Sequence, residues 1–221
     1  MTYLAQHTHV GRQIMKRPLL SARAVLAALL LALILPGCGL GSGRRLSLDY
    51  RPQGGVQLAP GTVQLLVADR RTSKNLVGPE ASSKDLLKES QGGQLDMTTT
   101  MPTGSTISLS HLSVEAAVFE AVKNKLQTLG IAAIPDTSGA KARVTVYITE
   151  FVIDVEGSDF VGRVGLRGVI DRPGLTQTYN TTASSQGSKF KLVGDMGSNE
   201  PMSDALNKAV NALDFSGLNS Y

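Results

Sequence analysis

The chain has 221 residues, with 22 Lys and Arg against 18 Asp and Glu, one cysteine, three histidines and no tryptophan. The formal charge of +4 resides in the first 37 residues, where Arg12, Lys16, Arg17 and Arg23 meet no acidic residue, so 18 basic and 18 acidic residues remain beyond them. A neutral body with few aromatics carries no electrostatic footprint for nucleic acid. One cysteine and the one histidine outside the leader, His111, exclude an internal disulfide and leave a metal only all-carboxylate ligation.

Lys16, Arg17 and Arg23 form a basic segment, residues 24–35 form an apolar run of about 12, and Gly37 follows as a small residue. The run falls short of the ~20 residues a membrane-spanning helix needs. Leu35-Pro36-Gly37-Cys38 resembles the bacterial lipobox, although Pro36 stands where Ala, Ser or Thr is usual. That resemblance implies cleavage before Cys38 and attachment of diacylglycerol to its thiol, hence a membrane anchor, and Gly39 in place of Asp favours the outer membrane. Met15-Lys16-Arg17 makes Met15 an alternative start.

Residues 38–61, rich in Gly, Ser, Pro and Gln, read as a lipidated flexible tether, within which residues 46–50 alternate weakly and could pair as a short edge strand. Gly39-Leu40-Gly41-Ser42-Gly43 lacks the strand, helix and Lys-Ser/Thr of a phosphate loop. Residues 62–68 form a buried strand ending in Asp69-Arg70-Arg71. The polar stretch 79–110 is expected as a long loop with a helical turn at 84–88, a candidate mobile or binding element. A helix follows over 113–129, with Ser113 as N-cap, an apolar stripe of Val114, Val118, Val122, Leu126 and Leu129, and Gly130 as the stop.

After a short strand at 131–134, a three-stranded meander occupies 142–155, 160–170 and 175–185. Val144, Val146 and Ile148 share one parity and Phe151, Ile153 and Val155 the other, so a bulge or a change of packing surface is expected at Thr149–Glu150. Arg163 and Arg167 lie opposite the apolar face of the next strand, and Gly162, Gly165 and Gly168 mark a bend or a close backbone approach. A helix over 201–215 turns Met202, Leu206, Ala209, Val210 and Leu213 inward. The expected fold is α+β: one two-layer domain over 62–216, a mixed, mostly antiparallel sheet of about five strands with two helices on one face, in the order β-α-β-β-β-β-α. Residues 217–221 are left as a tail.

A lipobox, a tether, a strand ending in Asp69-Arg70-Arg71, a helix closing in Leu126-x-x-x-Gly130 and the strand Val144-Thr-Val-Tyr-Ile-Thr together resemble the YajG-type group of uncharacterised proteobacterial lipoproteins. The resemblance covers most of residues 60–215. It implies a non-enzymatic, outer-membrane, periplasm-facing lipoprotein and brings no agreed activity.

Four residues are candidates for binding. Asp69 and Arg71 could orient a carboxylate or a partner backbone, or could simply cap their own loop. Arg163 and Arg167 could meet an acidic partner, cell-wall carboxylates or lipid phosphates, or could be a solvated face. His111 lies among Ser108, Ser110 and Ser113 without the G-x-S-x-G turn of a hydrolase, so no catalytic residue, metal or cofactor is assigned. The function expected is a non-catalytic binding or envelope-assembly lipoprotein whose partner is an envelope protein or the cell wall. The alternative is an accessory lipoprotein of lipid or ABC-type envelope transport, and a hydrolase using His111 comes third.

Overall fold

A computed structural model describes residues 46–83, 93–135, 139–188 and 197–219, all within one compact unit spanning residues 43–221. The leader, the lipobox and the helical turn expected at 84–88 lie outside the described residues.

The elements are β1 (Leu46–Tyr50), β2 (Gly61–Asp69), α1 (Pro79–Ser83), β3 (Leu95–Thr100), β4 (Thr106–Leu112), α2 (Val114–Thr128), β5 (Ile131–Ile134), β6 (Ala142–Glu156), β7 (Asp159–Arg172), β8 (Leu175–Ser188) and α3 (Asn199–Asn211), then a 3₁₀ turn at Ser216–Leu218. They build a five-stranded mixed sheet in the order β5-β2-β6-β7-β8 and a three-stranded sheet in the order β1-β3-β4.

The second sheet corrects the expectation of a single one, and its strands come from the stretches read as tether and loop. Leu46, Leu48 and Tyr50 of β1 and Leu95, Met97 and Thr99 of β3 are buried at period two, and β1 runs parallel to β3. In the sequence these alternations are short and padded with Ser, Thr and Asp, so each strand acquires an apolar face only beside the other. The tether is corrected as well. From residue 46 the chain is fastened to the unit: Leu58 is buried, its N–H donates to the Leu129 carbonyl, and Lys125 Nζ donates to the Gln53 carbonyl. The expected tail is corrected at its start, because Leu218 is fully buried in the 3₁₀ turn.

The meander matches its sequence signals. Gly157 and Gly174, both at positive φ, sit in the two tight turns of β6–β7 and β7–β8. In β6 the register slips by one between Ile148 and Glu150. That bulge decides the parity change: Val144, Val146 and Ile148, then Phe151 and Val155, all stand beside the buried even-numbered residues of β7, and the strand keeps one packing surface.

Both longer helices cover this inner face. Ser113 Oγ caps α2 by accepting the Ala116 N–H, Gly130 stops it at φ 88°, and Val118, Val122 and Leu126 are fully buried. Burial of each such side chain contributes about 1.5–3 kcal/mol. Asn124, buried on the same helix, donates to Thr99 Oγ1 at 2.8 Å and so ties α2 to the second sheet. The C-terminal helix α3 lies over β7 and β8. Gly162 permits this, because a Cβ there would stand 2.6 Å from the Pro201 carbonyl oxygen.

Along its polar side, α3 meets the outer edge of β1. Asn199, Ser203, Asn207 and Asn211, four residues apart, accept the backbone N–H groups of Ser47, Asp49, Arg51 and Gln53, two residues apart. Four helical residues rise about 6 Å and two strand residues advance ~6.6 Å, so the two repeats stay in step over the whole edge.

Candidate functional site

At the end of β2, Asp69 Oδ1 accepts the Arg71 backbone N–H at 2.9 Å and Nε at 3.1 Å, while Oδ2 accepts Nη2 at 2.9 Å. Arg71 Nη1 donates to the Phe151 carbonyl at 2.9 Å, and Lys74 Nζ lies 2.9 Å from the same carboxylate. Asp69 and Arg71 side chains are each 6% exposed. Burial alone would push the Asp69 carboxyl up, but hydrogen bonds from Arg71 and Lys74 hold it well below the usual carboxylate range. Every guanidinium nitrogen of Arg71 is occupied, so the pair fastens the loop after β2 to the bulged segment of β6. A cleft of about 840 Å³ opens beside it, walled by Val77, Pro79, Glu150, Phe151 and Val152.

Arg163 and Arg167 occupy one face, as the strand period requires, yet they have different partners. Arg163 pairs with Glu156. Arg167 lies over the ring of its cross-strand neighbour Tyr147, 5.7 Å from the centroid. Arg70, directly after β2, lies over the same ring at 5.9 Å. Sequence reasoning missed Arg70 and Tyr147. The alternation of Tyr147 with buried Val146 and Ile148 placed it on the outer face, but nothing local brings Arg70 to it.

His111 adopts φ 60° at the end of β4. Its backbone N–H donates to Asp96 Oδ1 at 3.1 Å, and Nδ1 lies 3.2 Å from Gln94 Oε1. Ser113 is engaged in capping α2. The contacts of His111 with Asp96 and Gln94 thus hold the turn between β4 and α2. Among the described residues no cluster of three or more His, Cys, Asp or Glu could hold a metal ion. Leu35, Gly37 and Cys38 lie outside the described residues. Among those described, no helix is long and apolar enough to cross a membrane.

The sheet edges differ sharply. The edge of β1 is occupied by the side chains of α3. Strand β5 has four residues, and β4 is irregular where it meets β3 and ends at the left-handed His111. Strand β8 has 14 residues with no charge and no proline, and among the described residues no strand pairs with its outer side.

No family model matches the chain, and no curated protein matches it. Several solved structures are similar to it at low identity. One is a Xanthomonas campestris protein described under family DUF330, at 12% identity over 77% of this chain and 92% of that one, with a TM-score of 0.42. Another is a hypothetical protein of Chlamydia trachomatis, at 14% identity over 69% and 92%, with a TM-score of 0.37. A third is a lipoprotein of Neisseria meningitidis, at 13% identity over 61% and 88%, with a TM-score of 0.27.

Proposed function

We propose that this is a lipid-anchored protein of the outer membrane's periplasmic face, that it acts by binding rather than catalysis, and that β8 is where an extended segment of an envelope protein adds to the sheet. The observation that carries the reading is the contrast between edges. A long edge strand is a template for further pairing unless it is shortened, bent, charged or covered. The other three edges of this unit show such devices, and among the described residues β8 shows none. Strand addition supplies affinity through the backbone and selectivity through alternate side chains. Here the alternate positions offer Thr178, Asn180 and Thr182 on the outer face and half-buried Tyr179 and Ala183 on the inner.

Proline tests it. Of two adjacent residues in β8, one directs its N–H outward and the other directs it to β7. With a photo-crosslinking residue at Thr182, a defined adduct is expected in intact envelopes. Of Thr178→Pro and Tyr179→Pro, the one facing outward should abolish the adduct while the chain stays folded. An adduct that survives both, or no adduct at all, sinks the proposal.

A second reading draws on the cleft beside Arg71, which lies where the segment 77–82 meets β6. Accessory binding of a lipid in envelope transport needs such an opening. It requires lipid to co-purify with the chain and to be lost in Val152→Glu.

A further inference from the structure

The outer face of the five-stranded sheet holds Tyr147 with two guanidinium groups 5.9 and 5.7 Å from its ring centroid. Arg70 approaches from the end of β2 and Arg167 from β7, the two strands that flank β6. Both arginines are exposed. We propose that Arg70, Tyr147 and Arg167 form an oxyanion site whose ligand is a phosphate group. This inference is independent of docking at β8.

Two like charges on one ring repel each other, and the exposed cation–π contacts offset that only in part. The nearby acids are committed elsewhere. Asp69 is held by Arg71 and Lys74, and Glu156 by Arg163. Glu150, at the bulge, makes no ion pair with either arginine. Among the described residues, then, neither Arg70 nor Arg167 has a carboxylate partner, and the Tyr147 hydroxyl has no hydrogen-bond acceptor. On the same face Thr145, Thr149 and Asn180 are neutral donors, and Glu150 stands there as an acid beside Gly165.

The choice of ligand follows from the number of donors. A carboxylate presents two oxygens and is satisfied by one guanidinium fork. Two forks that come to one ring from neighbouring strands, with its phenol beside them, need an anion with oxygens in several directions, and a phosphate has three or four. The phosphate could belong to a lipid headgroup or be free in solution.

The test uses the chain purified from membranes in a maltoside detergent. Inorganic phosphate is titrated by calorimetry, with acetate as the competing oxyanion. Arg70→Gln and Arg167→Gln should each weaken phosphate about ten-fold, the loss of one charge-assisted contact. Both sites are exposed, so thermal midpoints should stay put and separate lost binding from lost folding. Glu150→Gln should tighten binding, Arg163→Gln should leave it unchanged, and acetate should bind about ten-fold more weakly than phosphate. Dihexanoylphosphatidylglycerol then identifies the source: displacement of phosphate at equal concentration assigns the site to a lipid headgroup, and failure to displace it assigns soluble phosphate. The inference is overturned if phosphate does not bind, if acetate binds as well as phosphate, or if the double variant retains the affinity.

Discussion

Asn207 meets Arg51 as one peptide group meets another. Its Oδ1 accepts the Arg51 N–H at 2.7 Å, and its Nδ2 donates to the Asp49 carbonyl, also at 2.7 Å. Asn211 repeats the pattern one turn on, accepting from Gln53 at 2.9 Å and donating to the Arg51 carbonyl at 3.2 Å. A row of helix side chains thereby stands in for a neighbouring strand and closes an edge that would otherwise invite pairing. Asn207→Ala should cost about 1–2 kcal/mol, because water replaces part of what is lost at this half-exposed position. Hydrogen exchange is the sharper readout. The amides of residues 47–53 should exchange faster while α2 keeps its protection, and uniform acceleration would contradict the role.

Arg71 neutralises a carboxylate that is itself out of water. Arg71→Met leaves Asp69 with only Lys74, and the expected destabilisation is about 3–5 kcal/mol in urea unfolding. The double variant Asp69→Asn/Arg71→Met should recover part of that loss. A single variant as stable as the parent would mean that the pair does not fasten the loop.

The same carboxyl sets a pH dependence. Asp69 is held below its ordinary pKa in the folded chain, so the unfolded chain binds its proton first as pH falls. Its stabilising contribution is present above the ordinary carboxylate value of about 3.9 and is lost progressively below it. Between pH 5 and pH 3 the urea midpoint should fall less in Asp69→Asn than in the parent.

Tyr50 is fully buried, and burial pushes its hydroxyl pKa well above the ordinary phenol range. Its hydroxyl has no partner among the described residues. Tyr50→Phe keeps the ring and removes an unsatisfied polar atom, so the thermal midpoint should hold or rise, by up to about 1 kcal/mol of stability. A clear drop would reveal a partner for that hydroxyl.

Gly162→Ala should be costly, about 1–3 kcal/mol, because the new methyl meets the backbone of Pro201 and Met202 at 2.6–2.8 Å and α3 must shift to admit it. Gly54→Ala, which meets nothing within 4 Å, serves as the control. Equal effects at the two sites would remove the close-approach argument.

Cys38→Ser removes the atom to which the expected lipid is joined. The variant should leave the membrane fraction for the soluble one. Continued sedimentation with outer membranes would end the anchor hypothesis.

Much of the fold was legible because its signals are local. An N-cap such as Ser113, a stop such as Gly130 and the parity change at Thr149 each act within a few residues of themselves, and the chain carries them into any context. The second sheet was legible only in part. The alternation in 46–50 reads as a short edge strand and is β1, at the edge of its sheet, whereas 95–100 reads as loop and becomes a strand only when distant segments cover its edges. The Asn-Ser-Asn-Asn row on α3 is not singled out in the sequence, because its purpose depends on β1 lying beside it. Arg163 and Arg167 are alike in the sequence; only tertiary packing gives one of them a glutamate and the other a tyrosine shared with Arg70. Backbone propensities and side-chain periods are properties of neighbours along the chain, whereas the pairing of edges and the partnering of charges are properties of neighbours in space.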